Sequence, residues 1–185
     1  MYAHSESLIV AILGAALGLA QASAQLPPDA RLAGETWLQK DCGVGEQDQL
    51  KPILRMFKPQ FEQFFLNALN NGPPAQLMAQ VEETASTTFD LLEAALKTGK
   101  GLGLSEADLN DLRMVTREQY VAREREDFAI NYKSRAVSGL GIVAGDRGKT
   151  VLQALAADPL SPLRGGARES LLQLRPAPGK AGAKK

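Results

Sequence analysis

The sequence predicts an all-α chain of stacked helical hairpins, and three observations carry that expectation. Val, Ile and Thr never form a sustained alternating pattern, while Ala and Leu dominate, so helical periodicity prevails over strand periodicity. Residues 131–174 read NYKSRAVSGLGIVAGDRGKTVLQALAADPLSPLRGGARESLLQL. That is a helix, a Gly-marked turn, a second helix ending at Asp158-Pro159 and a third opening at Ser161-Pro162. The chain also repeats itself. Displaced by 86 residues, Leu54, Phe65-Leu66, Ala68-Leu69, Pro73 and Leu77 fall on Leu140, Val151-Leu152, Ala154-Leu155, Pro159 and Leu163. A 31-residue displacement lays Tyr132-Lys133 on Leu163-Arg164, Ala136 on Ala167 and Leu140 on Leu171. Such spacings arise from stacked hairpins, because one hairpin cannot bury its own apolar stripe.

Taken in order, residues 1–24 have the form of a secretory signal peptide. Leu8 to Ala20 is an unbroken run of apolar and small residues, followed by Gln21-Ala22-Ser23-Ala24, an Ala-x-Ala end. The run is short of the roughly 20 apolar residues a membrane span needs. Met1 to Ser7 departs from the signal pattern, since it carries Glu6 and no Lys or Arg. Cleavage after Ala24 leaves all 21 Lys and Arg and removes one acid of 21, so the mature chain has a formal charge of +1. It forms one helical domain, residues 25–174, and a basic tail, residues 175–185, whose Pro, Gly and Ala predict disorder.

Within the domain, a first helix is expected over about residues 29–40, with Leu32, Trp37 and Leu38 apolar. A second is expected over about 47–57 through Leu50, Ile53, Leu54 and Phe57. Pro59 opens a third, where Phe61, Phe64, Phe65, Ala68 and Leu69 repeat at i, i+3, i+4, i+7 and i+8. Asn70-Asn71-Gly72-Pro73-Pro74 stops it and starts a long helix to about Lys97, its apolar face running from Leu77 to Leu96. Gly99 to Gly103 is a flexible link, and Ser105-x-x-Asp108 resembles a capping signature. Thr116-x-x-Gln119 is another, opening a stretch through Tyr120, Val121, Phe128 and Ile130. Its alternating charges, Arg123 to Asp127, read as a solvent face supported by pairs such as Arg123 with Asp127. Gly165-Gly166 is unusual in a helix and fits either close packing or a frayed terminal repeat.

Arg135-Ala136-x-x-x-Leu140-Gly141, Val151-Leu152-x-Ala154-Leu155, Asp158-Pro159, Leu163-Arg164 and Ala167 resemble HEAT repeats of the short bacterial type. The resemblance covers residues 131–174 well and 50–81 more loosely. It implies a HEAT-like α-solenoid, irregular at its N-terminal end, that binds other proteins on an extended face. With the signal, it implies a periplasmic or secreted bacterial protein. Lys133, Arg135, Arg164 and Arg168 would project from the repeat helices and form the candidate partner-binding surface.

The chemistry available is narrow. The only histidine is His4, inside the signal, so the mature chain has no Ser-His-Asp, Cys-His or His-ligated metal site. Cys42 is the only cysteine and reads as a structural thiol at a helix end. Glu82-Glu83 and Glu126-Asp127 are acid pairs, but sequence neighbours on a helix point about 100° apart and do not converge. Gly145-Asp-Arg-Gly-Lys-Thr150 suggests a phosphate loop, yet the first motif position is Val143 and the preceding segment is helical. A near-neutral chain with interspersed charge gives no electrostatic case for nucleic acid. We therefore expect no catalytic site, cofactor or metal, and a partner that is another protein. The alternative is an apolar small molecule or lipid held among Phe57, Phe61, Phe64, Phe65 and Phe89, residues whose helical spacing reads first as core.

Overall fold

The computed structural model describes residues 25–39, 44–98, 110 and 113–175. Among these, seven helices follow one another: α1 (Pro28–Gln39), α2 (Val44–Met56), α3 (Lys58–Asn71), α4 (Ala75–Thr98), α5 (Arg117–Val143), α6 (Asp146–Ala157) and α7 (Arg164–Gln173). The fold is all-α. The signal segment, Cys42, the Ser105-x-x-Asp108 signature and the tail beyond Arg175 lie outside the described residues.

Local chemistry sets most boundaries where the sequence placed them. Pro59 sits in the first turn of α3, where its missing N–H has no intrahelical partner to lose. Gly72 ends the helix at φ +70°, a left-handed conformation glycine adopts without strain, and its N–H donates to the Ala68 carbonyl at 2.9 Å. Thr116 forms the expected capping box. Its hydroxyl accepts from the Gln119 N–H at 3.3 Å, and Gln119 Oε1 accepts from the Thr116 N–H at 3.0 Å. Two boundaries differ. The stretch opened by Thr116 and the helix expected from Asn131 are one continuous element, because no Gly or Pro interrupts residues 117–138. The last helix opens at Arg164, three residues beyond Ser161. The Ser161 hydroxyl and carbonyl accept from the N–H groups of Leu163 and Arg164, each at 3.2 Å, and hold a turn there.

The core is assembled around the C-terminal half of α5. Ala136, Val137 and Leu140 are fully buried there, with Tyr132 and Val143 nearly so. Among the described helices, α5 packs against each of the other six. Contact between α5 and α3 is intimate. A Cβ on Gly139 would stand 2.5 Å from the Phe65 ring, and one on Gly141 would stand 3.0 Å from Ser170 Cα in α7. Both glycines are where they are because helix backbones and rings approach closely. Trp37 ties α1 to the same spine, its indole N–H donating to the Arg135 carbonyl at 2.9 Å. Ser170, buried in α7, donates its hydroxyl to the Val137 carbonyl at 3.0 Å, so its burial leaves no orphaned group.

Among the described residues, the principal neighbour of the N-terminal half of α5 is α4. That helix is 24 residues long, yet Ala85 is its single buried residue. The pair forms an arm alongside the core.

Candidate functional site

The arm presents two unlike sides. On one, cations of α5 reach acids of α4: Arg125 to Glu82 at 3.2 Å and Arg117 to Asp90 at 2.8 Å. These exposed pairs are worth about 0.2–1 kcal/mol each and bridge the helices on that side. The other side is an open groove of about 520 Å³. Leu77, Val81, Ala85 and Phe128 supply its apolar lining. Along the α4 edge stand the neutral Gln80, Thr84 and Thr88; along the α5 edge stand Glu124 and Asp127. Their side chains share one strip of α5 with Tyr120 and Asn131 because 120, 124, 127, 128 and 131 fall at i, i+4, i+7, i+8 and i+11.

Electrostatics within the groove follow from that arrangement. Burial first, and then the Glu124 charge, push the Tyr120 hydroxyl above its ordinary range, with Arg123 opposing. The phenol is therefore neutral and keeps both a donor and an acceptor. Arg123 lies over the Tyr120 ring, 5.6 Å from its centroid, and its guanidinium reaches Glu124 at 3.9 Å. This is a different use of Arg123 from the pairing with Asp127 that the charge alternation suggested. Phe89 of α4 packs against Tyr120, ring centroids 5.6 Å apart.

The four cations expected to bind a partner do not gather on one face. Lys133 and Arg135 are two positions apart on α5, about 200° around the helix. The Lys133 stem lies beside Gly72, at the α3–α4 turn. Arg135 turns the other way and donates to the Leu38 carbonyl at 3.2 Å, completing the C-terminal end of α1. Arg164 donates to the Ala156 carbonyl at 3.4 Å, at the end of α6. Arg168 stands exposed one turn further along α7. Two of the four thus serve helix ends as well as surface.

The Phe cluster is packed core. Phe61 and Phe65 are fully buried and stacked at 5.8 Å, and Phe64 meets both rings edge-on at 6.0 and 5.5 Å. Gly34 approaches so closely that a Cβ there would lie 2.8 Å from Phe61. Phe64 is partly buried at the edge of this packing, and Phe89 belongs to the arm instead.

The Gly145–Thr150 segment has an equally definite occupant. The first turn of α6 offers unpaired N–H groups and the positive end of a helix dipole, the setting that binds phosphate in a phosphate loop. Glu62 of α3 fills it. One carboxylate oxygen accepts from the N–H groups of Gly145 and Gly148 at 2.9 and 2.7 Å. Gly148 is buried against that carboxylate, and a Cβ there would stand 2.9 Å from the same oxygen. The sequence excluded nucleotide on motif grounds; the partner of the glycines, 83 residues away from Gly145, lay beyond its reach.

The groove itself was not singled out from sequence. Its signal was present in the spacing of Tyr120, Glu124, Asp127, Phe128 and Asn131, but reading Arg123 to Asp127 as solvated charge obscured it. Among the described residues no group of His, Cys, Asp and Glu side chains could hold a metal ion, and no helix is long and apolar enough to cross a membrane. The chain matches no protein-family model, no curated protein and no solved structure.

Proposed function

We propose that this chain is an exported, non-catalytic helical module that binds another protein in the bacterial cell envelope. The observation that carries the reading is the incompletely covered apolar face of α4. Leu77, Val81, Phe89, Leu92 and Leu96 are only half-buried, and Leu91 is 66% exposed. A module that pairs two long helices without closing the groove between them leaves a docking surface.

The export and repeat readings come from the sequence. Residues 1–24 have the secretory form, and the HEAT-like resemblance supplies the expectation of protein binding. The 86-residue correspondence has a physical counterpart that supports it. Leu54 and Leu140 are both fully buried, and Leu66 and Leu152 hold matching positions in α3 and α6. The duplication would then relate α2–α3 to the end of α5 and α6, with α4 diverging to pair with α5.

A pull-down with residues 25–185 from an envelope extract of the source organism, read by mass spectrometry, tests the reading. Control variants reverse Lys133 and Arg168 to Glu, sparing Arg135 and Arg164 because these complete helix ends. A specific partner is the expected result, and its loss in the controls would place it on the cationic faces. Absence of any partner, with an apolar small molecule extracted from the purified chain, would replace this reading with ligand binding.

A further inference from the structure

We infer that the groove between α4 and the N-terminal half of α5 seats a partner helix carrying an apolar stripe flanked by Lys or Arg. The inference rests on the protein-binding reading above and specifies its surface and the chemistry of the partner. Three features of the groove lead to it.

Shape comes first. Two antiparallel helices leave a furrow that a third helix fills ridge into groove, completing a three-helix arm. The lining runs from Leu77 to Thr88, eleven residue steps or roughly 16 Å at ~1.5 Å per residue, which is three turns of a partner helix. Apolarity comes second. Leu77, Val81, Ala85 and Phe128 offer no hydrogen bonds, so the occupant must present apolar side chains at i, i+3 or i+4, and i+7.

Charge comes third and selects among occupants. On the opposite side of the arm, α5 cations meet α4 acids across the helix interface. On the groove side the α5 carboxylates Glu124 and Asp127 face Gln80, Thr84 and Thr88, which carry no charge. Arg123 offsets Glu124 in part, at 3.9 Å. The negative edge left over suits a basic flank on the occupant, which would fix its orientation and speed its encounter. The neighbouring segment of this chain is a poor match, since it carries Glu106, Asp108 and Asp111. A second copy offers single exposed apolar residues near a cation, Leu32 by Arg31 on α1, Met56 by Arg55 on α2 and Leu172 near Arg168 on α7, rather than a stripe flanked by charge.

The test is a display selection of randomised 16-residue helical peptides on residues 25–185. Enriched peptides are resynthesised and their affinity measured by fluorescence anisotropy against the native chain, Glu124→Lys/Asp127→Lys and Thr84→Arg. Circular dichroism and thermal melts establish that each variant is folded. The expected peptides are amphipathic and basic, weaken at least tenfold against both variants, and weaken as salt is raised. Enrichment of acidic or uncharged peptides, affinity unchanged by either variant, or no enrichment overturns the inference. So does sedimentation showing a dimer that Thr84→Arg dissolves, because the groove would then be filled by a second copy. The outcome separates from that of the pull-down: a partner retained by Thr84→Arg keeps the protein-binding reading and removes the groove from it.

Discussion

Glu62 joins two helices whose sequences are 83 residues apart at the point of contact, and its removal has a definite expected cost. α6 is capped by Gly145, which has no side chain to offer, so the Glu62 carboxylate satisfies two of the N–H groups at this helix start. Glu62→Ala should destabilise the fold by about 1–2 kcal/mol in a urea titration, the scale of a lost N-cap. Glu62→Gln retains an acceptor oxygen and should lose less; equal losses in the two variants would show that packing, not the hydrogen bonds, is responsible. Glycines give a second contrast. Gly139→Ala drives a methyl to 2.5 Å from Phe65 and should cost about 1–3 kcal/mol by overpacking. Gly165→Ala meets nothing within 4 Å, so it should stabilise by about 0.5–1 kcal/mol through helix propensity alone. A reversed order in the two melting temperatures would contradict the described contact. The sequence had marked Gly165-Gly166 as the unusual pair, with close packing as one explanation. Close packing belongs to Gly34, Gly139 and Gly141, whose need for glycine comes from residues distant in sequence.

Elements were legible wherever their boundaries are written in neighbouring residues. Pro59 opened α3, Gly72 closed it, and Thr116 with Gln119 opened α5, each by chemistry contained within four residues. The Phe61, Phe64, Phe65, Ala68 and Leu69 stripe likewise announced the buried face of α3. Thr116→Ala therefore has a local consequence: about 1 kcal/mol of stability and faster amide exchange over residues 117–120. Unchanged exchange there would mean that α4, rather than the box, holds the end of α5. The groove was less legible because it needs α4 and α5 side by side, and their adjacency rests on contacts between residues far apart in sequence, such as Phe89 with Tyr120 and Glu82 with Arg125. Charge alternation from Arg123 to Asp127 looked uniform in sequence. Only pairing with α4 divides it into Arg125, bridged to Glu82, and Glu124 with Asp127, which face neutral residues.

At the scale of the molecule, α5 belongs to two regions of unequal strength, and hydrogen exchange should separate them. Its C-terminal half is enclosed by α1, α2, α3, α6 and α7, with Ala136, Val137 and Leu140 wholly removed from water. Opening it exposes much of the core, so its amides should exchange only at the free energy of global unfolding. Among the described residues its N-terminal half leans on α4, through Ala85, half-buried apolar contacts and exposed ion pairs. Such contacts break without disturbing the core, and the arm should open at a lower free energy. Residues 88–98 and 117–125 are thus expected to exchange well before residues 136–143 in the isolated chain. Equal protection throughout would show that arm and core form one cooperative unit, and the groove would then be a fixed surface. Unequal protection would make the arm a part of the fold that opens without the core and that a third helix would hold shut. Bound peptide should raise protection in the arm, and in residues 136–143 by no more than the binding free energy, because those amides report global stability and binding to the folded chain adds to it; an arm left unprotected would show that the peptide sits elsewhere.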